Sequence, residues 1–207
     1  MATSCRFKSG SGYHTFNMSE KHYISAQSLL EDSYQLGAEI IRSDFRPDFI
    51  VGIWRGGAPV GIAVQEMLVH FDIPTDHISV RTSLYTGVGE TAGRVRVHGL
   101  DYLVKNLNAE NALLIIDDVY DSGRSIEAVI QQLTRRTRRN TPEQIKVAAP
   151  WYKPDNNATD RVPDYYIHTT DKWLVFPHEV QDLTPEELAQ GKPELDAIIR
   201  SVRDEGH

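Results

Sequence analysis

The sequence is poor in cysteine, in long apolar runs and in positive charge, and each shortage removes a class of protein. Cys5 is the only cysteine, so a disulfide framework and a zinc site built from several thiolates are both excluded. A lone thiol suits a reducing compartment and the first residues lack the apolar core of a signal peptide, so we expect a cytoplasmic protein. No apolar stretch reaches the roughly 18 residues of a membrane span. The net charge of -7 argues against a general binder of nucleic acid or of membrane surfaces.

The 207 residues are enough for one domain with its own core. Residues 1–17 are rich in serine and glycine without periodicity, which predicts a flexible tail ahead of a single domain over 18–207. Ser25 and Ser28 can each cap a first helix, and Glu31 would complete a capping box with Ser28. Thr184 to Glu187 forms a second capping box, with proline at the first helical position.

Short apolar runs alternate with amphipathic segments along most of the chain. The runs predict strands over 49–53, 77–80, 113–116, 145–149 and 165–167, with helices between several of them. This alternation predicts an α/β fold with a mostly parallel central sheet flanked by helices. Ligands bind beyond the carboxyl ends of the strands in such sheets, so the polar residues after each strand are the candidate site.

The strongest candidate is the segment 117–125, which follows the run 113–116. Asp117 and Asp118 stand side by side at a strand end, where their repulsion is costly without a partner. Gly123 lets the backbone approach a ligand, and a helix start favours an anion. Asp121 capping the helix is the simpler alternative for that residue alone. An EF-hand, a P-loop and a GxGxxG fingerprint are excluded because their required residues are missing.

These residues resemble the signature of the type I phosphoribosyltransferases, which bind 5-phosphoribosyl-1-pyrophosphate. The signature is two apolar strand residues, a carboxylate pair, two apolar residues, then Asp-Thr/Ser-Gly-x-Thr/Ser. The resemblance implies that Asp117 and Asp118 hold the ribose hydroxyls, directly or through Mg²⁺. It implies a 5′-phosphate site made of Asp121, Ser122, Gly123, Arg124 and Ser125.

Two further segments resemble the family in the expected order. Arg55, Gly56 and Gly57 follow a strand and resemble the loop that binds pyrophosphate, although a plain strand-to-helix turn is the alternative. Ser83 and Tyr85 open a long Gly-rich stretch from Thr82 to Gly93. The resemblance implies that this stretch is a mobile catalytic loop that excludes water, and an ordinary flexible loop is the alternative.

The base-binding part is similar to the 6-oxopurine branch, the hypoxanthine, guanine and xanthine phosphoribosyltransferases. That similarity implies that Lys153 donates to the purine O6, that Trp173 stacks on the base, and that the Leu174 carbonyl meets the base edge. It places these roles in a small hood formed largely by residues 150–180. Core packing is the alternative for Trp173, and an ordinary solvated side chain is the alternative for Lys153.

The resemblance therefore implies an Mg²⁺-dependent enzyme with phosphoribosyl pyrophosphate and a purine base as its substrates, and Asp121 as general base near the purine N7. Family relatives are commonly dimers or tetramers, so we expect a homodimer or homotetramer. The arginine-rich run 135–139 is interpreted as a solvated helix end rather than a nucleic-acid site. Two alternatives stay open: a non-catalytic sensor of phosphoribosyl pyrophosphate, and a phosphoribosyltransferase for another base.

Overall fold

The computed structural model describes residues 21–85 and 94–206. Strands and helices alternate along this part of the chain. The strands are β1 (Lys21–Tyr23), β2 (Phe49–Trp54), β3 (Asp76–Tyr85), β4 (Arg94–His98), β5 (Ala112–Ile116), β6 (Val119–Tyr120), β7 (Gln144–Ala148), β8 (Trp151–Tyr152), β9 (His168–Thr169) and β10 (Trp173–Val175). The helices are α1 (Ala26–Arg42), α2 (Gly57–His70), α3 (Asp101–Asn106), α4 (Arg124–Thr137), α5 (Pro185–Gly191) and α6 (Pro193–Asp204).

The central sheet has five strands in the order β4-β3-β2-β5-β7. The strands β3, β2, β5 and β7 are parallel, and β4 runs antiparallel to β3 at one edge. This arrangement confirms the predicted α/β class with a mostly parallel central sheet. Because β2 and β5 are neighbours, the loops that follow them meet at one edge of the sheet.

The central strand β5 is buried on both faces, as a continuous apolar run requires. Leu114 and Ile116 pack on one face in a cluster with residues of α1 and α2, and Leu113 and Ile115 pack on the other with residues of α3 and α4. A fully buried side chain of this size contributes about 1.5–3 kcal/mol through the hydrophobic effect. The two layers of helices therefore hold the carboxyl end of β5 in a fixed position.

Two small parallel sheets lie outside the central one. The strands β6, β8 and β9 form the first, and β1 pairs with β10 in the second. Most of these strands belong to the predicted hood region 150–180, but β1 joins it from the other end of the sequence. Within the described residues, none of the helices combines the length and the apolar character that crossing a membrane needs.

The local predictions differ from the structure in a few places. Ser25 caps α1 by accepting the Ser28 N–H, so the capping box proposed for Ser28 and Glu31 is wrong and Ser28 lies inside the helix. The strand predicted over 165–167 is reduced to a bridge between Ala148 and Tyr165, and β9 begins just after it. The capping box of Thr184 and Glu187 is confirmed.

Several elements were not predicted, among them β1, β4, α3 and the short strands β6, β8 and β10. The stretch expected to be a loop from Thr82 begins instead as strand, because β3 continues to Tyr85 and pairs with β4. The remainder of that stretch, residues 86–93, and the expected tail, residues 1–17, lie outside the described residues.

The first helix offers a direct test of the capping assignment. We expect Ser25→Ala to lower the free energy of unfolding by about 1 kcal/mol, because the side-chain acceptor for an unpaired helix N–H is lost. Ser28→Ala is the matched control, and it should be neutral or slightly stabilising because alanine has the higher helix propensity. Urea unfolding of both variants measures the difference, and equal losses would contradict the assignment.

Candidate active site

The loops after β2 and β5 are pressed together without room for side chains between them. A Cβ atom at Gly56 would lie 1.9 Å from Asp118 Oδ2, and one at Gly57 would lie 2.3 Å from the Ile116 carbonyl oxygen. Only glycine fits at these two positions, so the backbone of the first loop borders the carboxylate pair directly. The peptide bond between Trp54 and Arg55, at the start of this loop, is cis.

Asp117 and Asp118 form the acidic corner of the site. Burial, together with the neighbouring Asp118 carboxylate, raises the pKa of Asp117 well above its usual range, although the N–H groups of Asp118 and Gly57 act in the opposite direction. Asp118 is itself buried, and its Oδ2 lies 3.3 Å from His178 Nε2. Two adjacent carboxylates with so little solvent favour a cation or hydroxyl donors beside them.

Next to this corner, Asp121, Ser122, Gly123 and Ser125 line a cavity of about 210 Å³ together with Asp117. Gly123 adopts the left-handed conformation at φ 72°, and a Cβ there would lie 2.5 Å from Tyr120 Oη, so this position requires glycine. The helix α4 begins at the following residue, and its first N–H groups lack intrahelical partners. The cavity therefore combines hydroxyls with a helix start, which suits an anion.

A second cavity, of about 170 Å³, lies on the other side of Asp121. Lys153, Trp173 and Leu174 line it together with Arg55 and Asp118. Lys153 is buried, with its Nζ 3.6 Å from an Asp121 carboxylate oxygen and 6.0 Å from the centroid of the Trp173 ring. Trp173 is 47% exposed, so much of its ring is not covered by the core and core packing does not account for it.

Asp121 and Val119 line both cavities, and Asp121 is the charged member of this pair. One of its oxygens accepts a hydrogen bond of 2.8 Å from Asn156, which lies in a short 3₁₀ helix just after Lys153. The hood is tied to the same segment by two backbone bonds, from the Lys153 N–H to the Tyr120 carbonyl and from the Ala158 N–H to the Ser122 carbonyl. The carboxylate is thus held between the cavity at the start of α4 and the cavity that contains Lys153.

Other predicted site residues lie apart from these cavities. Arg124 is exposed and borders a separate surface cavity with Gln131 and Arg135. Ser83 lies in β3 with its Oγ 3.3 Å from His98 Nε2, and Tyr85 ends the same strand. Sequence reasoning missed Asn156 and His178. Neither carries a local signal of its own, but the proline-containing turn after β10 would have pointed to the segment that holds His178.

Comparison with known proteins places the chain in a family. A family model, the phosphoribosyl transferase domain, matches residues 23–184. No curated protein matches the sequence significantly.

Solved structures share the fold. A purine phosphoribosyltransferase from Pyrococcus horikoshii Ot3 is 26% identical, with a TM-score of 0.61 over 80% of this chain and 97% of the other. A Neisseria gonorrhoeae hypothetical protein with bound ppGpp is 18% identical, with a TM-score of 0.62 over 86% and 97%. The Helicobacter pylori xanthine-guanine-hypoxanthine phosphoribosyltransferase is 20% identical, with a TM-score of 0.58 over 77% and 94%.

The raised pKa of Asp117 predicts that removing its charge increases the stability of the protein by an amount that depends on pH. With no divalent cation present, Asp117→Asn should stabilise the protein relative to wild type at neutral pH. A carboxyl whose folded-state pKa is raised contributes stability at low pH, and this contribution is lost as the pH rises from about 4, the unfolded value, through the higher folded value. The advantage of the variant should therefore grow with pH across that window.

Thermal midpoints of both proteins between acidic and neutral pH measure this difference. Asp44→Asn is the matched control, because the Asp44 side chain is 98% exposed and solvent screens its charge, so its replacement should change the midpoint little. A difference between wild type and Asp117→Asn that stays flat with pH would contradict the assignment.

Proposed function

We propose a reaction for this chain from the premise that it belongs to the phosphoribosyl transferase domain family. The reaction is the transfer of a 5-phosphoribosyl group from phosphoribosyl pyrophosphate to a 6-oxopurine, which gives a purine nucleoside 5′-monophosphate and pyrophosphate. The observation that carries the proposal is that Asp121 lines both a cavity at the start of α4 and a cavity containing Lys153 and Trp173. A sugar phosphate bound beside a base requires two neighbouring cavities of this kind.

The donor would occupy the acidic corner and the loops around it. In this proposal the 121–125 cavity holds the 5′-phosphate, since hydroxyls and helix N–H groups converge there. Gly56 and Gly57 let the first loop lie against the acidic corner, where the pyrophosphate would bind, and Arg55, which lines the base cavity, adds a fixed positive charge.

Asp117 and Asp118 fit Mg²⁺. Carboxylate oxygens are its preferred protein ligands, and one or two of them commonly suffice when substrate phosphates complete the shell. The raised pKa of Asp117 beside Asp118 indicates a repulsion between the two carboxylates that a bound cation would relieve. Bound there, Mg²⁺ would supply positive charge against the departing pyrophosphate. In this proposal the same two carboxylates would also hold the ribose hydroxyls.

The base would lie in the cavity with Lys153 and Trp173. The half-exposed Trp173 ring offers a face for stacking, and the Leu174 carbonyl would meet the base edge. The Lys153 ammonium can only donate hydrogen bonds, so it favours an oxo group at the purine C6 over an amino group. The name of the 26% identical P. horikoshii protein supports a purine as the acceptor.

Asp121 would act as the general base near N7 of the bound purine, with Asn156 fixing the orientation of its carboxylate. As the purine attacks C1 of the ribose, the bond from C1 to pyrophosphate breaks. The proton on N7 of the purine passes to Asp121. Ser83 and Tyr85, which lie in the last part of β3, would help to exclude water from the reaction. A homodimer or homotetramer remains our proposal for the assembly, and it is supported by the exposed apolar side chains of Ile62 and Phe71 near α2.

A competition assay tests the reaction. Purified protein is given phosphoribosyl pyrophosphate, Mg²⁺ and an equal mixture of hypoxanthine, guanine, xanthine, adenine and uracil. We expect nucleoside monophosphates of the oxopurines only, and loss of product on chelation of Mg²⁺. Binding of the donor without any product would favour a sensor, and adenine or uracil products would contradict the role of Lys153.

The proposed general base has its own test. We expect Asp121→Asn to lower kcat by about 10²- to 10⁴-fold with a much smaller change in KM, because a positioned base acts mainly in the transition state. The control Asp155→Asn removes an exposed carboxylate from the same hood segment and should leave both parameters unchanged. Steady-state kinetics of both variants and of wild type measure these parameters. Equal kcat values for Asp121→Asn and wild type would refute the role of Asp121 as general base.

Stacking of the base on Trp173 predicts an effect on affinity. Trp173→Ala should weaken purine binding by about 1–3 kcal/mol, the range for an aromatic side chain stacked on a base. Tyr166→Ala is the control, because Tyr166 is an equally exposed aromatic of the hood that lies against Tyr152. Calorimetric titration with the purine measures both, and unchanged affinity in Trp173→Ala would place the base elsewhere.

A further inference from the structure

Lys192 is a buried charge that the proposed reaction does not use. It lies between α5 and α6, beyond the residues 23–184 that the family model matches, and is only 7% exposed. A lysine is rarely buried to this extent unless its ammonium is fully hydrogen-bonded. The burial of Lys192 therefore calls for an explanation in terms of what its side chain contacts.

The Lys192 ammonium donates to three backbone carbonyls in one short segment. These are the carbonyls of Phe176, Pro177 and Glu179, with a distance of 3.3 Å to the Pro177 oxygen. Because an ammonium has three donors, all three are used within this segment. Burial lowers the pKa of Lys192 and the charge of Glu179 acts in the opposite direction.

The segment it contacts, which we name turn 176–179, has few bonds of its own. The Glu179 N–H donates to the Phe176 carbonyl at 3.0 Å, and the Glu179 carboxylate accepts the Phe176 N–H at 3.1 Å. Pro177 has no N–H to donate. The contacts from Lys192 thus supply more hydrogen bonds to turn 176–179 than the turn makes within itself.

Turn 176–179 connects the base cavity with the acidic corner. It follows β10, which carries Trp173 and Leu174, and both Phe176 and Glu179 line the same cavity. The His178 ring stacks on Phe176 with centroids 5.8 Å apart, and its Nε2 lies 3.3 Å from Asp118 Oδ2. A shift of this turn would move the cavity wall and the contact with Asp118 together.

We propose that Lys192 is a positioning residue, which holds turn 176–179 in place and through it sets the shape of the base cavity and the placement of the His178 ring against Asp118. The proposal rests on the proposed function only for its kinetic consequence. The segment 185–206 then does more than cover the hood, because it supplies a side chain on which the geometry of the site depends.

The test compares Lys192→Met, which keeps the length of the side chain but loses its donors, with wild type. Hydrogen exchange should show faster exchange in turn 176–179, while α5 and α6 stay protected. In the assay for the proposed reaction we expect kcat/KM for the purine to fall by about 10- to 100-fold, with a rise in KM, because small displacements at a reaction centre are costly. A role confined to stability would instead lower the active fraction and leave KM unchanged.

Two further variants control the result. Lys21→Met breaks another lysine contact in the same region, the 2.6 Å ion pair with Glu187 that ties β1 to α5, and it should leave both the exchange of the turn and KM unchanged. Lys192→Gln retains two amide donors and should give intermediate values, and it replaces the methionine variant in every measurement if that variant does not fold.

The outcomes separate the two proposals. Equal loss of protection across α5, α6 and the turn in the Lys192 variants, or an equal effect from Lys21→Met, would overturn the positioning role. If the wild type converts no base at all, the proposed function fails, whereas the exchange of turn 176–179 still decides the role of Lys192 by itself.

Discussion

The arrangement of this protein depends on one electrostatic constraint, which is the placement of Asp117 and Asp118 side by side at the buried end of β5. Their mutual repulsion in a site with little solvent has to be offset by something beside them. The described residues provide part of that offset through the N–H groups of Asp118 and Gly57 and through the His178 ring. In the proposed function, a cation and the hydroxyls of a sugar would provide the remainder.

Close packing around this corner determines the shape of the site beside the two carboxylates. Gly56 and Gly57 let one loop lie directly against the carboxylate pair, and Gly123 lets α4 begin at the next residue with its N–H groups toward a cavity. Asp121 then stands where this cavity meets the one lined by Lys153 and Trp173. In the proposed function, the phosphate would bind in the first cavity and the base in the second, with Asp121 between them.

The hood depends on segments from both ends of the described chain. The pairing of β1 with β10 and the close packing of Gly191 on the Tyr23 ring join these ends. Lys192 extends the same connection to turn 176–179. The wall of the base cavity is thus held in place by residues that take no direct part in the proposed reaction.

The sequence by itself determined the elements whose signals are local. The apolar run of β5 followed by 117–125, the glycines of the first loop and the capping box at Thr184 were predictable, because each depends on residues a few positions apart. Only the tertiary structure decided that Ser25 rather than Ser28 caps α1, that Arg124 faces a different surface, and that β1 pairs with β10. The contacts of His178 with Asp118 and of Lys192 with turn 176–179 were also beyond local reasoning. They join elements that no periodicity relates, since packing brings them together only after the central sheet has formed.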